Sequence, residues 1–350
     1  MRVTCFSSFS LGYLDRARVM FSSLRRHQPD WNLVALVTDV PPPNFSFTDD
    51  EPFDSLVYSE NLDVPNVRSW LFKHDIVEAC TAVKGPFADH LCRAGEADAV
   101  VYLDPDTCAF GSLAPVERLL DEFDIVLTPH TVVPETQHQA IIDNEMCSLR
   151  TGTFNLGFCA FRTRGAGSRF ARWWSERLLS HCYDDIPTGL FVDQRWCDLV
   201  PALFDKVHIL RDPGYNVASW NLSNRNVEIG TDGAIRVNGA PLRFWHFTKL
   251  GPTADIMTKR YAGYNFPVYE IWNWYRRRVS EMSVPSIPQG YWGYGTYSNG
   301  VPVAKEHRLL YRREKHLQDL FADPFQAGAG SFLEWIADRG VAYDDTSTRS

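Results

Sequence analysis

The stretch DAVVYLDPDTCAFGSL, from Asp98 to Leu113, decides the fold class of this chain. Its apolar run Ala99–Leu103 does not alternate with polar residues, which is typical of a strand buried on both faces of a parallel sheet. The run ends in two aspartates, Asp104 and Asp106, on either side of a proline. In open α/β sheets ligands bind beyond the carboxyl ends of the strands, so these carboxylates occupy a position where a ligand is expected.

Strand and helix patterns before this stretch predict the start of the same sheet. VTCFSS followed by LDRARVMFSSLRRH predicts a strand and then a helix with one apolar face, and NLVALVTD predicts a second strand. A strand, a helix and a further strand begin a parallel α/β sheet. Helical patterns at about residues 69–83 and 87–93 then lead through Gly95 to the quoted strand.

The residues after the quoted stretch continue the α/β pattern to about residue 265. The predicted elements are, in order, a helix at 115–122, the strand IVLTP, a polar loop through residue 150, the strand NLGFCAF at 155–161, a helix at about 168–181, a shorter helix after Asp193 and a hairpin around Asn238-Gly239. We therefore predict a mixed, mostly parallel sheet flanked by helices over residues 1–265.

From about Phe266 the chain changes character. It becomes helical and aromatic in EIWNWYRRRV, and then rich in glycine and aromatic residues in QGYWGYGTY. We predict a helical, aromatic-rich appendage over residues 266–350 that contacts an acceptor, another subunit or a membrane. The basic and aromatic helix leaves two interpretations open, a peripheral membrane contact and a solvated or subunit-contact helix.

The composition of the 350-residue chain predicts a globular protein that does not bind nucleic acid. Its hydrophobic content of 45% supplies a sizeable core, and a formal charge of -8 argues against the basic face of a nucleic-acid-binding protein. The eight cysteines show no C-x-x-C spacing, which favours reduced thiols and a cytoplasmic location. The N-terminal MRVTCFSSFSLGYLDR lacks the long apolar run of a signal peptide, and no apolar run of transmembrane length follows.

The two aspartates of the quoted stretch allow two interpretations. An isolated Asp-x-Asp is most often an ordinary turn. Two carboxylates can instead hold a hard divalent cation, which bridges diphosphate oxygens through its open positions. His246, in RFWHFTKLGP, is similarly either a buried core histidine or a third ligand of such a cation.

Other polar residues also have a structural and a functional interpretation. Asn155 begins FNLGF, where the small Gly157 lets a ligand approach the backbone, but the pair could equally start a strand. Asp193-Gln194 opens a helix, so Asp193 either caps that helix or faces a sugar together with Gln194. Lys84, in TAVKGPF, either complements the carboxyl end of a helix or pairs with a phosphate.

Several common catalytic chemistries leave no recognisable motif in the sequence. The first strand is not followed by G-x-G-x-x-G, and neither a P-loop nor a G-x-S-x-G elbow occurs. Interpretations as a dinucleotide oxidoreductase, a kinase or a serine hydrolase are therefore disfavoured.

Taken in order, TAVKGPF, VYLDPD, FNLGF, VDQRW, PGYN and WHFTKLGP resemble the motifs of the family eight nucleotide-sugar-dependent glycosyltransferases. The resemblance covers roughly residues 1–265. It implies the GT-A fold and transfer of a hexose with retention of the anomeric configuration. It also implies that Asp104, Asp106 and His246 bind Mn²⁺ or Mg²⁺, as the family's Asp-x-Asp pair and C-terminal histidine do.

The same resemblance assigns roles around the sugar of the donor. Asn155, Asp193 and Gln194 correspond to family residues that contact the donor sugar near the anomeric centre, and are the predicted catalytic residues. Lys84 resembles the basic residue that reaches the donor from the preceding helix. His130, after IVLTP, occupies what resembles a sugar-contacting position.

The first loop and the segment after His246 depart from the family pattern. Members often carry acidic or amide side chains in the first loop, whereas this chain has Ser8, Ser10 and Gly12, so the resemblance does not name the base. The family's KPW is replaced by LGP, which leaves Lys249 as the candidate diphosphate lysine. The predicted donor-binding residues are thus Ser8, Tyr13, Lys84, His130 and Lys249.

These observations predict a metal-dependent, retaining hexosyltransferase that uses a nucleotide diphosphate sugar in polysaccharide biosynthesis. Its acceptor is a glycan or a lipid-linked molecule, and the enzyme is expected in the cytoplasm, free or peripheral to the inner face of the membrane. Two alternatives are a sugar-nucleotide nucleotidyltransferase and a non-catalytic carbohydrate-binding protein with the same fold.

Overall fold

Strands and helices alternate through the first half of the chain in the computed structural model, which describes residues 1–339. The strands are β1 Val3–Phe9, β2 Asn32–Val37, β3 Ser55–Tyr58, β4 Ala99–Leu103, β5 Thr107–Ala109, β6 Ile125–Pro129, β7 Phe154–Arg162, β8 Asp184–Asp185, β9 Leu190–Phe191, β10 Val207–Ile209, β11 Val227–Ile229, β12 Ile235–Val237, β13 Ala240–Pro241 and β14 Phe244–His246. The helices are α1 Leu14–His27, α2 Val67–Phe72, α3 Ile76–Ala82, α4 Lys84–Ala94, α5 Ala114–Glu122, α6 His138–Ala140, α7 Met146–Thr151, α8 Gly165–His181, α9 Val200–Leu203, α10 Pro252–Ala262, α11 Phe266–Glu281, α12 Lys305–Arg313, α13 Lys315–Leu320 and α14 Phe332–Asp338. Residues 340–350, the end of the predicted appendage, lie outside the described residues.

Within residues 1–339, seven strands form the main sheet, in the order β10-β6-β7-β4-β1-β2-β3. β7 runs antiparallel to both of its neighbours, β4 and β6. The remaining neighbouring pairs in this sheet are parallel. The sheet is therefore mixed and mostly parallel, as the sequence predicted.

The sequence of β4 does not alternate between apolar and polar residues, because both faces of the strand are buried. Val100 and Tyr102 lie in a hydrophobic core shared with α3, α4 and α8, whereas Val101 and Leu103 lie in a second core shared with α1 and α5. All five residues of the strand are buried. Since helices cover both faces of the sheet, the predicted α/β class is confirmed. Only the carboxyl end of β4, where Asp104 follows, is open to a ligand.

The predicted hairpin is also present. β12 pairs antiparallel with β13, and Asn238 and Gly239 between them have positive φ values of 50° and 82°. Asn-Gly accommodates this conformation at low cost, which is why it favours tight hairpins. The strand IVLTP is β6, and the helix predicted at 168–181 lies within α8.

The helix predicted at 69–83 is wrong in its boundaries, because two helices, α2 and α3, occupy this region. Asp75 caps α3 by accepting the Glu78 N–H, and the Glu78 side chain accepts the Asp75 N–H in return. This capping box starts a new helix at Ile76. Lys84 then begins α4 instead of ending a helix, and Pro86 is tolerated since it lies in the first turn, where N–H groups have no partner within the helix.

The polar loop predicted through residue 150 is largely helical. α6, a π-helical turn at Ile141–Glu145 and α7 follow one another without a break. Asn144 Nδ2 donates to Glu135 Oε1 (2.8 Å), and the Glu135 N–H donates to Glu145 Oε1 (2.8 Å). These tertiary hydrogen bonds stabilise a segment whose own apolar pattern is weak, so the helix could not be recognised from periodicity.

Residues after 266 pack against earlier parts of the chain, some of them in a core that the main sheet shares. On α11, the ring of Tyr275 stacks on Phe247 at 3.7 Å between centroids. Farther along, Tyr311 packs edge-on against Phe72 of α2 (5.2 Å), and Arg308 donates to the Phe72 carbonyl (3.1 Å). The division at residues 265 and 266 remains a prediction, and these contacts define the surfaces that the two parts share.

Two further properties concern the whole described chain. All eight cysteines lie within it, and each is a free thiol. Among the helices of residues 1–339, none combines the length and the apolar composition needed to cross a membrane.

Candidate active site

Neighbouring strands hold the turn that carries the two aspartates, between β4 and β5. The Asp104 N–H donates to the Gly157 carbonyl on β7 (2.9 Å), and the Phe247 N–H donates to the Asp106 carbonyl (2.8 Å). β5 pairs antiparallel with β14, which ends at His246. This pairing brings His246 from a distant part of the sequence to the acidic pair.

Asp104, Asp106 and His246 form one cluster of candidate metal ligands. His246 Nε2 lies 3.0 Å from Asp106 Oδ1 and 3.7 Å from Asp104 Oδ2. One ligand atom from each residue lies within 4.8 Å of the other two. Carboxylates suit Mg²⁺ and Mn²⁺, and imidazole is a common additional ligand. The structure thus brings together the three residues that the resemblance predicted as ligands.

Asn155 determines which nitrogen of His246 faces the aspartates. The Gly157 N–H donates to Asn155 Oδ1 (3.2 Å), which identifies this atom as the amide oxygen. His246 Nδ1 lies 3.1 Å from the same oxygen and carries the proton of that hydrogen bond, because the oxygen can only accept. In the neutral imidazole Nε2 then has the free lone pair, which is the form that a metal requires.

The His246 ring fits only because residue 157 is glycine. A Cβ atom on Gly157 would lie 2.4 Å from His246 Cε1 and 2.8 Å from Asn155 Oδ1. Any side chain would therefore displace the ring or break its hydrogen bond to Asn155. The close approach that the sequence predicted at Gly157 is made here by a side chain of the protein.

Lys84 links the metal cluster to Asp193. Its Nζ lies 3.2 Å from Asp104 Oδ1 and 2.9 Å from Asp193 Oδ2, with 3% of the side chain exposed. Burial opposes the charge of Lys84, but the two carboxylates outweigh it and raise its pKa well above the usual value. Lys84 is therefore an ammonium group held between two carboxylates of the protein.

Asp193 and Gln194 reach the same place from the loop after β9. Asp193 is buried against Lys84; burial raises the pKa of its carboxyl group, against the opposing effect of the lysine charge. Gln194 Nε2 donates to the Thr151 carbonyl (2.9 Å), and its Oε1 accepts from Asn155 Nδ2 (3.4 Å). The two residues thus belong to one hydrogen-bonded network with the metal cluster.

His130 extends this network just beyond β6. Its Nδ1 lies 3.2 Å from the Thr153 carbonyl, and its Nε2 lies 3.3 Å from Asn155 Nδ2. Burial lowers the pKa of His130 to about 4, so the ring is neutral at physiological pH. Nδ1 then donates to Thr153, and Nε2 accepts from Asn155. Asn155 therefore connects His130 and Gln194 to His246.

The charges of the cluster depend on one another. Burial would lower the pKa of His246, but the Asp106 carboxylate outweighs it and raises that pKa. Burial would raise the pKa of Asp106, but the charge and hydrogen bond of His246 outweigh it and lower that pKa. A cation bound at these atoms must displace the proton from His246 Nε2, so metal and proton compete for the site.

Two adjoining cavities meet at the cluster. The large cavity has a volume of about 450 Å³ and the small cavity about 330 Å³. Lys84, Asp104 and Lys249 line both of them. The other predicted site residues divide between the two: His130, Asn155, Asp193, Gln194 and His246 line the large cavity, and Ser8, Tyr13 and Asp106 line the small cavity.

The predicted donor-binding residues that line the small cavity differ in how accessible their side chains are. The Ser8 hydroxyl is buried and donates to the Cys80 carbonyl (2.6 Å). Tyr13 is partly exposed, with the Arg16 guanidinium 4.1 Å from its ring centroid. Lys249, in the loop after β14, has a left-handed backbone conformation with φ of 51°. Tyr13 is the more accessible of the two hydroxyl-bearing residues.

Sequence reasoning missed Tyr102 and Trp220. The Tyr102 hydroxyl donates to Asp104 Oδ1 (2.5 Å), and Lys84 Nζ lies 4.2 Å from its ring centroid. Trp220 packs edge-on against His246, with 5.4 Å between centroids. Tyr102 precedes Asp104 by two residues, and period-two alternation along the strand could have placed both side chains on one face. For Trp220 the sequence offers no comparable signal.

Comparison with known proteins gives distant similarities. No family model matches the chain. It is 27% identical to the uncharacterized protein YfnF of Bacillus subtilis (strain 168). The matched segment of 175 residues covers 50% of this chain and 57% of YfnF. It is 24% identical to the uncharacterized protein YfnD of the same strain. This match of 234 residues covers 65% of this chain and 72% of YfnD. The chain thus matches little more than half of YfnF.

Solved structures with similar folds include three glycosyltransferases. An active-site mutant of LgtC is 15% identical, with a TM-score of 0.46 over 83% of this chain and 99% of LgtC. The glycosyltransferase GlyE of Streptococcus pneumoniae TIGR4 is 17% identical, with a TM-score of 0.43 over 82% of this chain and 66% of GlyE. Mouse xyloside xylosyltransferase 1 is 14% identical, with a TM-score of 0.40 over 72% of this chain and 98% of the other.

Proposed function

We propose that this chain is a metal-dependent, retaining glycosyltransferase of the GT-A type. It transfers a hexose from a nucleotide diphosphate sugar to a glycan or lipid-linked acceptor. The observation that carries the proposal is the cluster of Asp104, Asp106 and His246 between two cavities, one of which also contains Asp193 and Gln194. The ordered resemblance of the sequence motifs to family eight supports the same conclusion.

The donor set of the cluster fits a divalent cation. Asp104, Asp106 and His246 would hold Mn²⁺ or Mg²⁺, because two carboxylates and one lone-pair nitrogen converge within 4.8 Å. When bound, the cation supplies positive charge to the diphosphate as it leaves the sugar. Asn155 keeps Nδ1 of His246 protonated, so that Nε2 faces the carboxylates.

The positions of the two cavities suggest how the donor lies. A diphosphate at Asp104 and Lys249 would reach into both cavities, because these residues line each of them. The nucleoside then fits the small cavity, beside Tyr13 and Ser10, and the sugar fits the large cavity. Lys249 and the cation would hold the phosphates, because Lys84 is already paired with Asp104 and Asp193.

The large cavity provides groups suited to a cationic sugar ring. The Asp193 carboxylate carries negative charge in a buried environment, where electrostatic stabilisation of an oxocarbenium-like centre is strongest. Lys84 holds this carboxylate in place at 2.9 Å. Gln194 and Asn155 orient each other by a hydrogen bond and present the rest of their surface to the cavity. Stabilisation of the sugar cation serves both retaining and inverting transfer, and an inverting enzyme needs in addition a base that deprotonates the acceptor. The retaining assignment therefore rests on the resemblance of Asn155, Asp193 and Gln194 to residues of retaining enzymes.

The test is turnover of a panel of nucleotide sugars by the purified protein, with Mn²⁺ and with excess chelator. We expect release of a nucleoside diphosphate that requires the metal. With an α-linked donor, proton NMR of the first product should show an α-linkage, and a β-linked product would overturn the retaining assignment.

The same panel separates the alternatives. A sugar-nucleotide nucleotidyltransferase would form the nucleotide sugar from a nucleoside triphosphate and release inorganic diphosphate, whereas a glycosyltransferase releases the nucleoside diphosphate. A non-catalytic carbohydrate-binding protein would bind sugar without consuming any donor in the presence of Mn²⁺. Either result would refute the proposal.

A further inference from the structure

Asp39 joins the first loop of the chain to a distant C-terminal segment. Its Oδ2 accepts the Leu11 N–H (2.9 Å), and its Oδ1 accepts the Val40 N–H (2.8 Å) and the Gly293 N–H (2.5 Å). The residue is 1% exposed. Hydrogen bonds from backbone donors to a buried carboxylate are charge-assisted and stronger than neutral ones. Asp39 is therefore engaged by the backbone on both sides and is not available to a ligand.

Residues 284–294, the C-terminal strap, cross the first loop at this point. The Tyr291 hydroxyl donates to the Val40 carbonyl (2.6 Å). A Cβ atom on Gly12 would lie 3.1 Å from the Tyr291 carbonyl, and one on Gly293 would lie 2.8 Å from the Val40 carbonyl. Gly12 thus lets the strap approach the first loop, and Gly293 lets it approach the residues that follow β2. Tyr291 and Gly293 belong to the glycine-rich, aromatic motif QGYWGYGTY, so these contacts account for part of that motif.

The strap is anchored on both sides of the contact. Before it, Val284 and Ile287 pack against the core that α1 covers. After it, the Arg308 guanidinium donates to the Tyr294 carbonyl of the strap (2.5 Å) and to the His74 carbonyl of the body (2.9 Å). Arg308 is buried, so this anchor belongs to the folded body. A segment fixed at both ends can hold the loop beneath it in one conformation.

The loop under the strap forms a wall of the small cavity. Ser10 and Tyr13 line this cavity, and Leu11, which Asp39 holds, lies between them. We infer that Asp39 and the C-terminal strap position the first loop for the nucleoside of the donor. Asp39 is a positioning residue in this inference, since it contacts only the protein. The inference rests on the proposed function and gives the residues after 266 a role in donor binding.

The test compares nucleoside and phosphate binding in three variants. Asp39→Asn removes the charge and one acceptor, Tyr291→Phe removes only the hydrogen bond to the Val40 carbonyl, and Asp323→Asn is the matched control. Asp323 also joins the C-terminal region to the body, through Arg68 at 3.0 Å, but neither residue lines the small cavity. Calorimetry measures the binding of uridine, cytidine, guanosine and adenosine diphosphate, and of inorganic diphosphate, each with Mn²⁺.

We expect the Kd of the tightest nucleoside diphosphate to rise roughly tenfold in Asp39→Asn and about threefold in Tyr291→Phe. The Kd of inorganic diphosphate should stay at the wild-type value in both, as should every Kd in Asp323→Asn. Unchanged nucleoside diphosphate affinity in both variants, or an equal loss of inorganic diphosphate affinity, overturns the inference and leaves the proposed function intact. If Asp39→Asn does not fold, Tyr291→Phe decides. A wild-type protein that binds none of the four nucleotides overturns both.

Discussion

The two sides of the candidate site are built by different means. Around the metal cluster, the positions of the functional groups are set by charged and amide side chains that contact one another, such as Lys84 with Asp104 and Asn155 with His246. Beside the small cavity, Asp39 accepts one backbone hydrogen bond from the first loop and one from the C-terminal strap, and it does not line the cavity. The metal side should therefore respond sharply to single side-chain changes, and the nucleoside side to changes in a distant segment.

This difference also predicts how substitutions divide between metal binding and nucleoside binding. Changes at the cluster should reduce metal affinity and turnover, and changes at the strap should reduce only nucleoside affinity. A variant of the metal side that loses nucleoside affinity without losing metal affinity would break this distinction.

The largest effect is expected from Asp106→Asn. This substitution removes a charged ligand while keeping the shape of the side chain, so turnover should fall by about a thousandfold or more, on the order seen when one group that stabilises a transition state is lost. Donor turnover with Mn²⁺ measures it. Asp98→Asn is the matched control, because Asp98 precedes β4, is only partly buried and pairs with Arg2, and turnover of this variant should be normal. Full turnover of the wild-type protein in excess chelator would contradict the prediction.

The next largest effect concerns stability at Lys84. Lys84→Met leaves the carboxylates of Asp104 and Asp193 without their buried cation, and breaking a buried ion pair in this way costs about 3–5 kcal/mol of unfolding free energy. Urea unfolding of the metal-free protein measures the loss. The same substitution made in an Asp193→Asn background should cost less, since fewer charges remain unpaired. Equal costs in the two backgrounds would show that the pair with Asp193 contributes nothing.

A smaller effect is expected from Gly157→Ala. The added Cβ atom would lie 2.4 Å from His246 Cε1, so the ring must move away from Asn155. Loss of a partner that orients a metal ligand typically costs 10–100-fold in metal affinity, and we expect a loss of roughly this size in a Mn²⁺ titration. Gly295→Ala is the control, because its Cβ atom would make only an ordinary contact of 3.6 Å with Trp292. Wild-type metal affinity in Gly157→Ala would refute the role of the close packing.

The smallest effect is expected from Ser8→Ala. The Ser8 hydroxyl donates to the Cys80 carbonyl and lies 3.1 Å from the Tyr102 hydroxyl, so its loss removes one hydrogen bond worth about 1 kcal/mol. Tyr102 keeps its hydrogen bond to Asp104. Mn²⁺ affinity should therefore stay within about twofold of wild type, and nucleoside diphosphate affinity should fall only a few-fold. A tenfold loss of Mn²⁺ affinity would place Ser8 on the metal side.

The sequence predicted the positions of Asp104 and Asp106 better than the contacts around the small cavity, for a physical reason. Asp104 and Asp106 follow a continuous apolar strand, which fixes their place at the carboxyl end of a buried sheet. That His246 joins them was implied by the family resemblance, and the pairing of β14 with β5 provides it. The hydrogen bond between His246 and Asn155 could not be predicted, because it depends on an antiparallel strand packed beside the aspartates.

The nucleoside side left weaker signals. Asp39 is the last residue of the predicted strand NLVALVTD, and nothing in that pattern indicates its partners, which are backbone N–H groups of the first loop and of the C-terminal strap. The contact between Gly12 and Tyr291 joins residues at opposite ends of the chain. Hydrophobic periodicity reports only neighbouring residues, so contacts of this kind cannot be predicted from it.

The proposed function depends most on His246 being a metal ligand and not a core histidine. Titration of Mn²⁺ into wild-type and His246→Ala proteins, together with their melting temperatures without metal, tests it most directly. We expect the affinity for Mn²⁺ to fall at least tenfold, because one of three protein ligands is lost, while the melting temperature of the metal-free protein changes little. Normal Mn²⁺ affinity with a large drop in melting temperature would contradict the claim.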